Sequence, residues 1–232
     1  MLFDIDIDKT VHSGRRSFQL RLRLFSACQR IVILGPSGAG KSLSLQAIAG
    51  LTRPDRGHIR LDGCSMFDAA AGIDLSPQAR RLAYLFQDYA LFPHLNVRQN
   101  IAFGLTRGWR NPPADITCAA VEYWLEAFGL RRVAQQLPAE LSGGQRQRTA
   151  LARALVAQPR ALLLDEPFAA LDQTLRGTMR KELDQLQRKL QVPMILITHD
   201  PEDADLFGEQ VLRLHDGAIE AAAGGLARPQ PG

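Results

Sequence analysis

Eight residues between an apolar run and a helical one constrain this chain more than any other stretch: Gly35-Pro36-Ser37-Gly38-Ala39-Gly40-Lys41-Ser42. The run Ile31-Val32-Ile33-Leu34 before them reads as a buried strand and Leu43–Gly50 after them as a helix. That strand–loop–helix setting is the one a phosphate-binding loop requires. Glycines let the backbone curl until its N–H groups point inward and line a concavity for anionic oxygens. The start of the following helix adds partial positive charge, and Lys41 adds a full one. Ser42 sets a hydroxyl where a Mg²⁺ held by phosphates would sit. Gly35 through Ser42 are therefore expected to hold a nucleotide.

The flanking sequence supplies a sheet for that loop. Leu2–Asp8 alternates apolar and acidic residues, and Phe18–Leu24 puts Phe18, Leu20, Leu22 and Leu24 on one face. With a turn at Ser13–Arg16 and a short strand Ile59–Leu61, these read as an antiparallel layer packed on the nucleotide core. Leu82–Phe86 reads as a buried strand ending at Gln87. From Asp88 to Leu137 no buried strand pattern stands out, and helical patterns dominate. The clearest is Ile116–Phe128, with Asp115 as its cap, Gly129 as its stop, and Val121, Trp124, Leu125 and Phe128 on one face. Ser142 opens a helix that Pro159 ends. Ala161–Leu164 and Met194–Thr198 are apolar throughout, as parallel strands covered on both faces are. Between them, Thr174–Leu190 carries Leu175, Met179, Leu183, Leu186 and Leu190 along one stripe, with Asp184 spaced to meet Arg188. A short helix Pro201–Phe207 and a hairpin of Val211–Leu214 with Ala218–Glu220 close the pattern. The expected architecture is α/β. Residues 1–87 and 159–222 form a mainly parallel core with an antiparallel layer, 88–158 form an inserted helical subdomain, and 223–232 are expected to be disordered.

Three further places carry chemistry. In Leu141-Ser142-Gly143-Gly144-Gln145, Ser142 can cap the helix while paired glycines leave its first N–H groups uncovered. The stretch is either a second anion site or a helix start with glycines for close packing. Asp165 and Glu166 follow an apolar strand, at the end where open α/β sheets place their chemistry. Asp165 suits Mg²⁺, and Glu166, pointing elsewhere, suits polarising a water. His199 follows another such strand and can donate to a phosphate oxygen or a bound water.

Composition narrows the setting. The formal charge of +4 is spread along the chain and reads as a solvated basic face rather than a nucleic-acid surface. Cys28, Cys64 and Cys118 show no metal or redox spacing and suit a reducing compartment. No apolar run is long enough to cross a bilayer, and the N-terminus lacks a signal-peptide pattern.

The order of Gly35–Ser42, Gln87, Leu141–Gln145, Asp165-Glu166 and His199 resembles the ATP-binding subunit of an ABC transporter along nearly the whole chain. Leu-Ser-Gly-Gly-Gln is that family's signature. The resemblance implies a P-loop NTPase core of the ABC nucleotide-binding domain type, with ATP and Mg²⁺ as ligands. It implies that Glu166 is the catalytic glutamate, His199 the switch histidine, and Gln87 the glutamine that senses metal and attacking water and links to the membrane subunit. Ser42, Gln87 and Asp165 are then the metal residues. Ser142, Gly143, Gly144 and Gln145 contact ATP in trans within a head-to-tail homodimer, and Asp172 crosses its interface. Two positions depart from the pattern. His12 stands where an adenine-stacking aromatic is usual, and Ala169 where the crossing loop usually begins with serine.

Leu75–Arg81, Tyr84–Asp88 and Leu91–Leu95 resemble bacterial importers, most similar to the molybdate-type oxyanion systems. That implies integral membrane pore subunits, a solute-binding protein acting indirectly, no nucleic acid, and a peripheral place on the cytoplasmic face of the inner membrane. Leu91, Phe92, Pro93 and Leu95 are the expected docking surface. Many such subunits continue into a C-terminal β-rich domain, which is not expected in a chain stopping at Gly232. The competing expectation is a soluble ABC-type ATPase acting on nucleic acid or ribosomes, but such proteins usually carry two of these domains in one chain or a long coiled-coil insertion.

Overall fold

The computed structural model describes residues 1–14, 16–106 and 110–220. They fall into two compact units, one of residues 1–75 with those from 198 onward, the other of residues 76–197.

In the first unit, β1 (Phe3–Ser13) and β2 (Arg16–Ser26) pair antiparallel along their full length, from Phe3 opposite Ser26 to Ser13 opposite Arg16. Both are longer than the alternation alone indicates. Phe3, Ile5, Ile7, Leu20, Leu22 and Leu24 are buried, as the period of two requires. On the other face Arg23 pairs with Asp6 and Asp8 at 2.7 and 3.1 Å. Next come β3 (Arg30–Leu34), α1 (Lys41–Ala49) and β4 (Arg56–Leu61). β4 takes the free edge of β1, so the expected strand Ile59–Leu61 does extend the antiparallel layer. β5 (Cys64–Asp68) and β6 (Ile73–Asp74) continue it, where the sequence showed no strand. Their alternation is too short to read, and pairing to β4 decides them. The expected turn at Ser13–Arg16 includes Arg15, which lies outside the described residues.

The second unit begins with α2 (Pro77–Arg80), capped by Ser76, and β7 (Leu82–Leu85). Helices α3 (Val97–Phe103), α4 (Ala119–Ala127) and α5 (Gly143–Val156) follow, then β8 (Ala161–Asp165), α6 (Gln173–Leu190) and β9 (Met194–Thr198). β7, β8 and β9 run parallel, and every residue of β8 and β9 is buried. Helix α4 is shorter than Ile116–Phe128. Cys118, not Asp115, is its N-cap, because Ile116 N–H donates to Pro113 O at 3.2 Å in a turn that holds 113–116 out of the helix. Of its expected apolar face, Val121, Trp124 and Leu125 are buried, and Phe128 is half-buried as the C-cap. On α6, Met179 and Leu183 are buried while Leu175, Leu186 and Leu190 are only half-buried. Arg188 does pair with Asp184, at 3.0 Å.

The chain then returns to the first unit through α7 (Pro201–Phe207), β10 (Gln210–His215) and β11 (Ala218–Ile219). β10 lies parallel to β3 and turns into β11, which meets β2. The strand order within this unit is β6-β5-β4-β1-β2-β11-β10-β3. The antiparallel layer and the parallel strand carrying the phosphate loop thus share one sheet, and the fold is α/β as expected. Residues 223–232 lie outside the described residues.

Candidate active site

The phosphate loop springs from the C-terminal end of β3. Gly38 and Gly40 have φ of 82° and 99°, the left-handed region that glycine enters without cost, and Gly40 is the N-cap of α1. A Cβ on Gly40 would also meet the Phe18 ring at 2.9 Å, so Phe18 packs under the loop. Lys41, only 5 % exposed, donates from Nζ to Gly35 O at 2.8 Å and Pro36 O at 3.1 Å. Its charge is therefore drawn over the loop. Ser42 is exposed in the first turn of α1, whose leading N–H groups have no intrahelical acceptor.

His199 belongs to the same unit and stands next to that loop in the hydrogen-bond pattern, since Gly35 N–H donates to Thr198 O at 3.3 Å. The histidine is exposed, but the backbone around it is pinned. Thr198 Oγ1 donates to the buried Asp203 carboxylate at 2.6 Å and accepts from Asp200 N–H at 3.0 Å, while Asp200 caps α7. Sequence reasoning missed Thr198 and Asp203. Only the turn from β9 into α7 makes them neighbours.

In the second unit, Asp165 ends β8 and is 7 % exposed. Tyr84 of the adjacent strand β7 donates its hydroxyl to Asp165 Oδ2 at 2.8 Å. Burial first, then the Asp165 charge, pushes the phenol well above its ordinary range, so it remains a donor. Glu166 leaves the strand with φ of 44° while its N–H still donates to Ile197 O at 3.0 Å. A left-handed non-glycine residue is strained, and such strain gathers where a side chain must be aimed. Gln87, exposed, sits two residues beyond the end of β7, so it and Asp165 come from neighbouring strand ends.

Among the described residues, no cluster of three or more His, Cys, Asp and Glu could hold a metal unaided. The buried Asp165 carboxylate instead suits Mg²⁺, which keeps its waters and takes one or two protein oxygens together with phosphate.

Ser142 caps α5 in a reciprocal box, its Oγ accepting from Gln145 N–H at 3.3 Å and its N–H donating to Gln145 Oε1 at 2.8 Å. Gly143 and Gly144 form the first helical turn. A Cβ on Gly144 would come within 3.1 Å of Leu175 Cδ1, so close packing onto α6 is one reason for glycine there. Asp172 is exposed and caps α6, accepting from Leu175 N–H at 2.9 Å. The expected docking cluster is only partly a surface. Leu95 is 2 % exposed, the Phe92 ring lies 4.2 Å from that of Phe103, and of the four only Pro93 is exposed, Leu91 and Phe92 being half-buried. His12, where an adenine-stacking aromatic is usual, is exposed at the end of β1.

A family described as ABC transporter matches residues 21–169. The molybdenum import ATP-binding protein ModC of Paramagnetospirillum magneticum is 40 % identical over 222 residues, 96 % of this chain and 59 % of that one. The molybdate/tungstate import ATP-binding protein WtpC of Archaeoglobus fulgidus is 42 % identical over 88 % of this chain and 80 % of its own length. The spermidine/putrescine import ATP-binding protein PotA of Nitratidesulfovibrio vulgaris is 45 % identical over 82 % of this chain and 50 % of its own length. The chain thus spans between half and four fifths of these relatives. Among solved structures, the ATP-binding cassette MJ0796, a dimer in a post-hydrolysis state bound to ADP and Pi, superimposes with a TM-score of 0.75. It is 28 % identical and the match covers 95 % of this chain and 97 % of that one.

Proposed function

This chain belongs to the ABC transporter family, and on that premise we propose that it is the ATP-hydrolysing subunit of a membrane importer. The observation that carries the reading is the start of α5, where Ser142 and Gln145 satisfy each other and Gly143 and Gly144 add no side chain of their own to the first turn, Gly144 packing on Leu175. A catalytic core alone needs one phosphate cradle; a second, on another helix, suits a nucleotide shared between two copies of the chain.

In this reading Gly35–Ser42 wrap the phosphates of ATP, with Lys41 turning from the loop carbonyls toward phosphate oxygens. Ser42, Asp165 and Gln87 hold Mg²⁺, which when bound offsets phosphate charge. Glu166 takes the proton from the attacking water, and His199 donates toward the γ-phosphate. Ser142–Gln145 of a second copy close the site, aided by Asp172, so that cleavage releases the pair. Residues 88–158 act as the helical subdomain that presents this signature. Integral membrane pore subunits receive the motion on the cytoplasmic face of the inner membrane, where a solute-binding protein delivers cargo from the other side. No helix among the described residues is long and apolar enough to cross a membrane itself.

The solute proposed is molybdate or a related oxyanion. Support comes from the two relatives named for molybdate, which align over 96 % and 88 % of this chain, against 82 % for the polyamine relative. Uptake of molybdate, sulfate and spermidine by the reconstituted importer discriminates these; uptake of spermidine alone rejects the oxyanion. The ATPase reading is tested by Glu166→Gln, expected to bind ATP normally, hydrolyse it about 10²–10⁴-fold more slowly and accumulate as a dimer with ATP. Wild-type turnover in that variant rejects it.

A further inference from the structure

We propose that Arg153 is a positioning residue that ties the signature helix α5 to the turn following Gln87, so that each responds when the other moves. This rests on the transport ATPase reading and adds to it the link between nucleotide and pore subunit.

The turn is held in a shape it would not keep unaided. Tyr89 and Ala90 are consecutive non-glycine residues with φ of 64° and 43°. Each pays the Cβ clash of the left-handed region, and two in a row do not arise from local preference. Their carbonyls are turned to one guanidinium. Arg153 Nη2 donates to Tyr89 O at 2.7 Å and Nη1 to Ala90 O at 2.8 Å. The same group lies 5.5 Å from the centre of the Phe92 ring. A planar fork spans two adjacent acceptors, which a lysine ammonium cannot do in the same geometry. Burial works against the Arg153 charge and the Asp88 carboxylate works for it, so the cation is kept inside by its partners.

The turn also grips its other neighbours. Phe92 N–H donates to Asn100 Oδ1 on α3 at 2.9 Å, and Asn100 Nδ2 returns a bond to Phe92 O at 3.2 Å. Tyr89 Oη reaches Pro167 O, next to Glu166, at 3.5 Å. Arg153 ties the strained pair itself to α5, about 15 Å along the helix from Gly143, while Arg146 of the same helix acts on the Tyr89 phenol by its charge. A rigid helix moved at one end carries its guanidinium with it, and the strained pair follows. Coupling of this kind is reciprocal, so nucleotide at the helix start must be felt at the turn.

The test uses the purified chain with Mg²⁺ and a non-hydrolysable ATP analogue, read by amide hydrogen exchange. In the wild type, the analogue slows exchange both at 142–145 and at 87–92. Arg153→Met keeps the response at 142–145 and reduces that at 87–92 about fivefold or more. Arg153→Lys, which retains charge and most packing, does the same and serves if the methionine variant does not fold. Adding Ala90→Gly to either variant relieves the strain and restores melting temperature without restoring the response at 87–92. A wild-type response at 87–92 in the Arg153 variants overturns the proposal, and so does its recovery with Ala90→Gly, which would reduce Arg153 to a prop for the turn. No response anywhere in the wild type overturns instead the nucleotide reading on which the proposal stands.

Discussion

Tyr84 donates its phenolic hydrogen to Asp165 Oδ2 across 2.8 Å, from the middle of one strand to the end of the next. The parallel register makes this possible. Tyr84 stands opposite Leu163, and Asp165 is two residues further along the same face. A hydrogen bond to a buried carboxylate is worth more than one between neutral groups, so the phenol both steadies Asp165 and sets its direction.

Tyr84→Phe removes that donor and keeps the ring. The expected loss of stability is about 1.5–3 kcal/mol, the usual value for a hydrogen bond to a charged group. Chemical denaturation of the two proteins at neutral pH measures it, and Mg²⁺-dependent ATP binding by the variant is expected to weaken as well. Unchanged values for both reject the role.

Stability is expected to fall on the alkaline side. Burial raises the Tyr84 phenol and pushes that of Tyr89 up to about 12, the Arg146 charge opposing it in the latter case. Both begin from an ordinary value of 10.0 in the unfolded chain. Above that value the unfolded state releases protons the folded state retains, so stability present below pH 10 is lost as pH rises toward 12. Urea midpoints between roughly pH 8 and 11 measure the slope, and Tyr89→Phe is expected to flatten it.

Ser142→Ala deletes the cap of α5. The loss is about 1 kcal/mol, and Ser142→Thr, which keeps an acceptor oxygen, recovers most of it. Thermal unfolding of the three proteins decides the matter; equal melting temperatures would show that Gln145 alone suffices.

Gln147 is fully buried on α5, and among the described residues neither amide atom has a partner. Gln147→Met keeps the volume and drops the unpaired polar atoms, for a gain of about 1 kcal/mol, whereas Gln147→Glu buries a charge and destabilises strongly. Denaturant midpoints read both. A loss on Gln147→Met would mean that the amide is satisfied in solution.

The phosphate loop was legible because its chemistry is local. Consecutive residues Gly35–Ser42, between a strand and a helix, must curl as they do wherever the sheet lies. The same holds for the box of Ser142 and Gln145, three residues apart on one helix. The pattern of helix α4 runs longer than the helix itself because Ile116 looks helical until Pro113 captures its N–H. The docking cluster is smaller than its apolar residues suggest, because sequence cannot say that Leu95 turns inward or that Phe92 meets Phe103.

By itself the amino-acid sequence determined the α/β class, the curled glycine loop of Gly35–Ser42, the acidic strand end at Asp165-Glu166 and the capped glycine turn of α5, since each depends on residues a few positions apart. Tertiary structure alone decided that Tyr84 reaches Asp165, that Thr198 and Asp203 brace the approach to His199, and that Arg153 grips Tyr89 and Ala90. Those pairings join residues on different strands or helices. Strand order and helix packing create them, and no periodicity along one segment encodes which other segment it will meet.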